Sequence, residues 1–336
     1  MLVFMQNLQA DLSSDDFEIV GTIGSGNFGT VFAAIHVSQQ KLVALKRMRA
    51  NVRSAEQKQI LTELEVLHQS RSGDIIGYYG SFFQGDTIHL CMEFMDCGSL
   101  ASVSHAAGRV PELLISRIAA SVLRGIAYLF SELRILHRDI KPSNILLNSR
   151  GDIKLCDFGV SGKLSQFHDA ASFTGSVAYM SPERVNGVPY AIRSDVWAVG
   201  ITMLEAATGR PAYDGNDIAG DLDLMHAIVK KPSPKPTRNG DFTDDFCDFI
   251  EAWYALFISF LCYFALFFGF LSLCIATWTS VLTRCRSLIK DEKARPVPED
   301  LLAHPFIVKG AQASVDVGAW TSQYRLKSFV QYEAFL

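Results

Sequence analysis

Four polar side chains could together manage a phosphate-bearing nucleotide: Lys46, Asp139, Asn144 and Asp157. His137-Arg138-Asp139 is followed by Asn144 five positions beyond the aspartate, and Asp157-Phe158-Gly159 begins thirteen residues after Asn144. The first aspartate can accept a hydroxyl proton, while Asn144 and Asp157 offer hard oxygen ligands to Mg2+. Val43-Ala44-Leu45-Lys46 sets an ammonium on a strand-like run, where it can hold the α- and β-phosphates of ATP. Gly24-Ser25-Gly26-Asn27-Phe28-Gly29-Thr30-Val31 fits G-x-G-x-x-G-x-V, in which missing side chains let backbone amides approach phosphate oxygens. A dinucleotide-binding turn would open a helix. Here Thr30 to Ala34 continue as a strand, which favours a hairpin lid. The chemistry implied is transfer of a γ-phosphoryl group to a hydroxyl, a reaction that depends on alignment and charge neutralisation. A strand lysine, a helix glutamate or a glycine-rich hairpin is commonplace alone; the ordered coincidence of all these motifs is not.

The elements that must position these groups follow from periodicity. Phe17 to Val20, Val31 to Ile35, Leu42 to Lys46 and Ile88 to Met92 read as short strands, interrupted by one helix. That helix opens on a capping-box signature, Ser54 and Gln57, and repeats Ile60, Leu61, Leu64 and Leu67 along one apolar face. Glu63 borders that face and is the natural ion-pair partner of Lys46. After a hinge-like Glu93-Phe94-Met95-Asp96-Cys97-Gly98, the segments Pro111 to Phe130 and Tyr190 to Thr208 read as helices around a loop-rich middle. The expected fold class is α+β and bilobal, with a small, mostly β N-lobe over 17–92, a hinge over 93–98 and a larger, mostly helical C-lobe over 99–309. Residues 1–16 and 310–336 read as tails. Lys230 to Pro236 reads as a proline-rich surface connection.

The chain of 336 residues is long enough for two lobes, and its net charge of −4 excludes the basic field on which nucleic-acid binding depends. Seven cysteines show neither a C-x-x-C pair nor the spacing of a secreted disulfide scaffold, which points to a reducing compartment. The expected location is cytoplasmic or nuclear. The N-terminal apolar run is too short for a signal peptide.

These motifs resemble those of protein kinases, and further matches extend the likeness. Ser181-Pro182-Glu183 stands where kinases have A-P-E, Asp195 to Gly200 fits D-x-W-x-x-G, and Arg295 resembles the arginine that pairs with that glutamate. Lys141, two residues past Asp139, resembles serine/threonine and dual-specificity enzymes. Gly77 to Phe83, Cys91 to Asp96, Lys141 to Leu146 and Lys154 to Ser161 are similar to MAP kinase kinases, over about residues 17 to 250 and 288 to 322. Ile75-Ile76 and His304 to Val308 lean towards the branch upstream of the large extracellular-signal-regulated kinase. The resemblance implies catalytic roles for Asp139, Lys141, Lys46 and Asn144, with Mg2+ on Asn144 and Asp157. It implies an ATP site of Ile23, Gly24, Gly26, Gly29, Val31, Ala44, Lys46, Glu63, the gatekeeper Met92, the hinge from Glu93 to Met95, Ser143, Asn144 and Asp157. It also implies two partners, a MAP kinase substrate and an upstream activating kinase. Val315 to Trp320 is similar to the segment that docks the latter; plain C-terminal packing explains it equally well.

One departure from the family concerns regulation and two concern the protein substrate. Of the two hydroxyls, four residues apart, that the family phosphorylates, Ser172 holds the second place while His168 occupies the first. Phosphate on Ser172 would be bound by Arg138, and Ser165, Thr174 or Ser176 are candidate replacements for the missing site. Ser176 also replaces the usual threonine of the substrate-binding loop. No basic-plus-leucine docking motif lies within the sixteen residues before Phe17.

One segment does not suit the domain. From Trp253 to Thr283, thirty-one residues carry no charge, enough on hydropathy alone to cross a bilayer. A single span would separate Glu183 from Arg295, and two spans need more residues than are present. The expectation is that 253–286 is an insertion foreign to the domain, such as translated intron. Joining Phe249 to Ala252 onto Leu288 to Asp291 nearly restores a kinase-like helix pair. The alternatives are a kinase-fold scaffold with a disrupted C-lobe, or a membrane-anchored kinase.

Overall fold

The structure is a computed structural model that describes residues 12–26, 29–49, 54–163, 176–214, 218–237, 240–251 and 287–336. The chain divides into two units. One comprises Met1–Ala106, Tyr128–Ser165 and Asp316–Leu336; the other comprises Ala107–Ala127 and Gln166–Val315.

The first unit is built on a five-stranded antiparallel sheet of β1 (Phe17–Gly26), β2 (Gly29–His36), β3 (Lys41–Arg49), β4 (Tyr78–Gln84) and β5 (Thr87–Glu93). Its order, β1-β2-β3-β5-β4, puts the lysine strand β3 in the middle, where Lys46 is opposite Val31 on one side and Leu90 on the other. Alternation along β3 then does two jobs at once. Val43 and Leu45 turn to a core with Ala34, Phe82 and Cys91, against which Leu12 and Phe17 pack. Ala44 and Lys46 turn the other way, into a cavity. The helix α1 (Ser54–Gln69) carries Glu63, and its apolar face is buried at Ile60, Leu64 and Leu67. The capping box expected at Ser54 and Gln57 lies outside what is described there.

The same unit holds the short helix α2 (Leu100–Ala107), the sheet of β6 (Gly98–Ser99), β8 (Ile145–Leu147) and β9 (Ile153–Leu155), and the pair of β7 (Ile135–Leu136) with β10 (Gly162–Lys163). The β7–β10 pair brackets the His137 to Asp157 stretch, and the β8–β9 hairpin lies within it. The helix α3 (Glu112–Ser131), most of which belongs to the second unit, buries Ile115, Ile118, Val122, Leu123, Ile126 and Leu129. Among the described residues it alone is long and apolar enough to cross a membrane, and most of it is buried inside the protein.

The second unit is helical: α4 (Pro182–Val185), α5 (Ile192–Thr208), α6 (Asp221–Lys230), α7 (Asp244–Ile250), α8 (Pro298–Leu302) and α9 (Pro305–Gln312). Trp197 on α5 is fully buried. Over it sits the Arg295 guanidinium, which holds Glu183 through two bonds of 2.8 and 3.0 Å. Phe246 and Phe249 pack with Phe306.

The segment expected to be foreign, 253–286, lies outside the described residues, but its flanks do not. The N–H of Ser287 donates to the Phe249 carbonyl at 3.0 Å and that of Leu288 to Ile250 at 3.3 Å. The two flanks therefore meet in the core, and the disrupted C-lobe of the scaffold alternative is not what the described residues show.

The expected strands and helices are present, mostly longer than read. Within the five-stranded sheet the unforeseen strand is β4: its pairing with β5 shifts register between Tyr78 and Gly80, and Gly80 takes a φ of 151°, which breaks the alternation a strand would display.

Candidate active site

Each motif reaches the site on an element that its own sequence explains. Lys46 is buried on β3, and its Nζ lies 2.6 Å from Glu63 Oε1 and 3.5 Å from Asp157 Oδ1. Burial opposes the ammonium, but Glu63 and then Asp157 outweigh that and hold its pKa above the ordinary lysine value, so Lys46 stays charged.

The loop around Asp139 is held by its neighbours. Asn144 Nδ2 donates to the Asp139 carbonyl at 2.8 Å and to Asp139 Oδ2 at 3.0 Å, and Lys141 Nζ lies 2.7 Å from that same oxygen. His137 is fully buried; its ring stands 5.3 Å from Phe158, and its Nε2 lies 3.2 Å from the Cys156 carbonyl. Phe158 is buried too, so Asp157 projects from an anchored turn. Arg138 and Asp157 both adopt left-handed backbone, with φ of 68° and 65°. For residues with a Cβ that conformation carries strain, of a kind that collects at sites of function.

A cavity of about 540 Å³ gathers these groups. It is lined by Ile23, Gly24, Gly29, Val31, Ala44, Lys46, Glu63, Met92, Glu93, Met95, Lys141, Ser143, Asn144 and Asp157, all expected in the site. Asp139 is not in the lining; it stands behind Lys141 and Asn144. Gly26 closes the hairpin opposite Gly29, while Asn27 and Phe28 of that turn lie outside the described residues. Ser165, Ser172 and Thr174 lie outside them as well.

The residues fit a magnesium-bound nucleotide. A Cβ placed on Gly24 would meet nothing of the protein within 4 Å, so no packing demands a glycine there, and Gly24 is part of the cavity lining. Gly29 differs: with φ at 127°, a Cβ on it would fall 2.0 Å from the Arg47 carbonyl oxygen, so the strand crossing itself requires glycine. Asn144 and Asp157 bring one amide and one carboxylate. That donor set suits Mg2+, which takes one or two protein oxygens and leaves the rest to phosphate and water.

Sequence reading missed Ser25, Ile76, Gly98, Ser99, Ser102, Leu146, Cys156 and Leu326 in the lining. Leu146 and Cys156 immediately flank recognised motifs, so the alternation of β8 and β9 could have found them. Leu326 carried no signal.

With this geometry in place, the comparisons agree with it. Residues 17–307 match the family described as protein kinase domain. The chain belongs to the protein kinase family. Within it the chain belongs with the mitogen-activated protein kinase kinases: it is 37% identical over 334 residues to the dual specificity mitogen-activated protein kinase kinase dSOR1 of Drosophila melanogaster, covering 92% of this chain and 75% of that protein.

Proposed function

We propose that this kinase moves the γ-phosphoryl group of magnesium ATP onto the threonine and tyrosine hydroxyls of a MAP kinase. The observation that carries the reading is the single cavity in which Lys46, paired to Glu63 at 2.6 Å, faces Asp157 while Asn144 holds Asp139. Lys46 would hold the α- and β-phosphates, and Asn144 and Asp157 would hold Mg2+, which would supply neutralisation of the charge that develops on the transferring group. Asp139 accepts the hydroxyl proton, and Lys141 beside it offsets charge on the transferring group. Met92, Glu93 and Met95 bound the adenine end. The name of the Drosophila relative supports the substrate class and the double specificity.

The catalytic unit in this reading is 17–309, with 253–286 as an interruption and 310–336 as a tail that includes a docking segment for an upstream kinase at Val315 to Trp320. Asp316 is exposed in that segment and caps α10 (Val317–Thr321), which leaves its carboxylate within a partner's reach. A reducing cytoplasmic or nuclear setting agrees with the free thiols of Cys91, Cys97, Cys156 and Cys247. The test is incubation with candidate MAP kinases and magnesium ATP, mapping the phosphorylated side chains. Phosphate on both a threonine and a tyrosine of one loop is expected, absent with Asp139→Asn. Phosphate on neither, with self-phosphorylation only, overturns the substrate assignment.

A further inference from the structure

One wall of the cavity comes from an unexpected part of the chain. Leu326, in the C-terminal segment, lines it together with Gly98, Ser99 and Ser102. Its Cδ2 lies 3.5 Å from where a Cβ of Gly98 would sit, so it stands at the hinge end, away from Lys46 and Asp157. The side chain is only half-buried, with an apolar face left towards the cavity.

Its placement is enforced from both sides. The Leu326 N–H donates to the Asp96 carbonyl at 2.8 Å, and the adjacent Arg325 Nε donates to Asp96 Oδ2 at 2.8 Å. Arg325 also bonds Ser149 Oγ at 2.9 Å, while Asp96 Oδ1 accepts from the Ser149 N–H at 2.8 Å. Asp96 is buried and Arg325 is partly exposed, so the pair is partly shielded from solvent. Beyond Leu326, Phe329 is buried with its ring 5.7 Å from Phe94 on the hinge, and it lies 3.3 Å from where a Cβ of Gly21 on β1 would sit. Before it, Thr321 Oγ1 donates to the Asn148 carbonyl at 2.7 Å. The segment thus runs from the Asn148 turn, past the hinge, to the first strand, and Leu326 is its one residue in the cavity lining.

We infer that the C-terminal segment is part of the nucleotide site, with Leu326 supplying an apolar contact to the adenine and ribose end of ATP and Arg325 positioning it through Asp96. This rests on the nucleotide reading of the cavity. The segment therefore tunes affinity for ATP and leaves the transfer step alone, since its contacts are made at the hinge, to Asp96, Gly98 and Phe94.

The test is calorimetric titration of the full chain with Mg2+ and a non-hydrolysable ATP analogue, with steady-state kinetics alongside. Leu326→Ala is expected to weaken binding and raise KM for ATP roughly three- to tenfold, with kcat and KM for the protein substrate within about twofold of the parent. Leu326→Met, of similar volume, restores affinity. Arg325→Gln, which keeps the Leu326 side chain but loosens the tether that positions it through Asp96, weakens binding in the same direction and serves if Leu326→Ala does not fold. Unchanged or tighter binding in Leu326→Ala or Arg325→Gln, with the parent binding normally, overturns the inference and leaves the kinase reading standing. A parent chain that takes up no magnesium nucleotide overturns both.

Discussion

Asp139 has one oxygen held by both Lys141 and Asn144, at 2.7 and 3.0 Å. These contacts orient the carboxylate, so Asp139→Asn keeps the shape and loses the proton acceptor. We expect kcat to fall by roughly 10²–10⁴-fold while affinity for magnesium nucleotide stays within a few fold. Single-turnover phosphate transfer and nucleotide titration on one preparation check this, and equal losses in both would point to a collapsed site. The residues concerned were legible in sequence because the chemistry restricts them to few types at short, fixed spacings. Leu326 was not, because its role depends on a leucine meeting Gly98 more than two hundred positions earlier, and no local pattern records such a meeting. Gly29 was legible for an incomplete reason: its spacing signalled a phosphate loop, whereas the crossing with Arg47 also demands it.

At the scale of elements, β3, α1 and the two long helices could be read because each has a single periodicity and clear breakers. β4 could not, since the register shift at Gly80 breaks its alternation. The helices of the second unit are short, and packing around Trp197, Phe246 and Phe249 sets them more than propensity does. What ties these helices together is the Glu183–Arg295 pair, which Ser194 also supports at 2.8 Å. Burial opposes the Glu183 carboxylate, but Arg295 outweighs it and holds the pKa below the ordinary value of 4.5. A depressed carboxyl pKa contributes stability above the unfolded value, and that contribution is lost as pH falls through the folded one. Arg295→Ala, which strands a buried carboxylate, is expected to cost about 3–5 kcal/mol near neutrality. Urea unfolding followed by tryptophan fluorescence should show the gap between parent and variant narrowing below pH 4.5. A gap independent of pH would assign the loss to packing against Trp197 instead.

For the molecule as a whole, the question is whether the uncharged stretch belongs to the folding unit. Ser287 and Leu288 are fully buried and bonded to the Phe249 and Ile250 carbonyls, so the two ends are already joined across the core. Arg295, beyond the stretch, reaches Glu183, before it, in one helical unit. A closed fold pays loop entropy for whatever lies between such ends. Shortening a loop of about thirty-five residues to about three returns roughly 2 kcal/mol. Deleting 253–286 should therefore give a chain that folds, binds magnesium nucleotide as the parent does, and unfolds at higher urea. The parent should also be harder to keep in solution, because thirty-one consecutive uncharged residues accompany its folded domain. Measuring solubility, nucleotide affinity and urea midpoint on both chains decides the matter. If the shortened chain loses its nucleotide affinity or its cooperative transition, the stretch is an integral part of the kinase rather than an interruption of it.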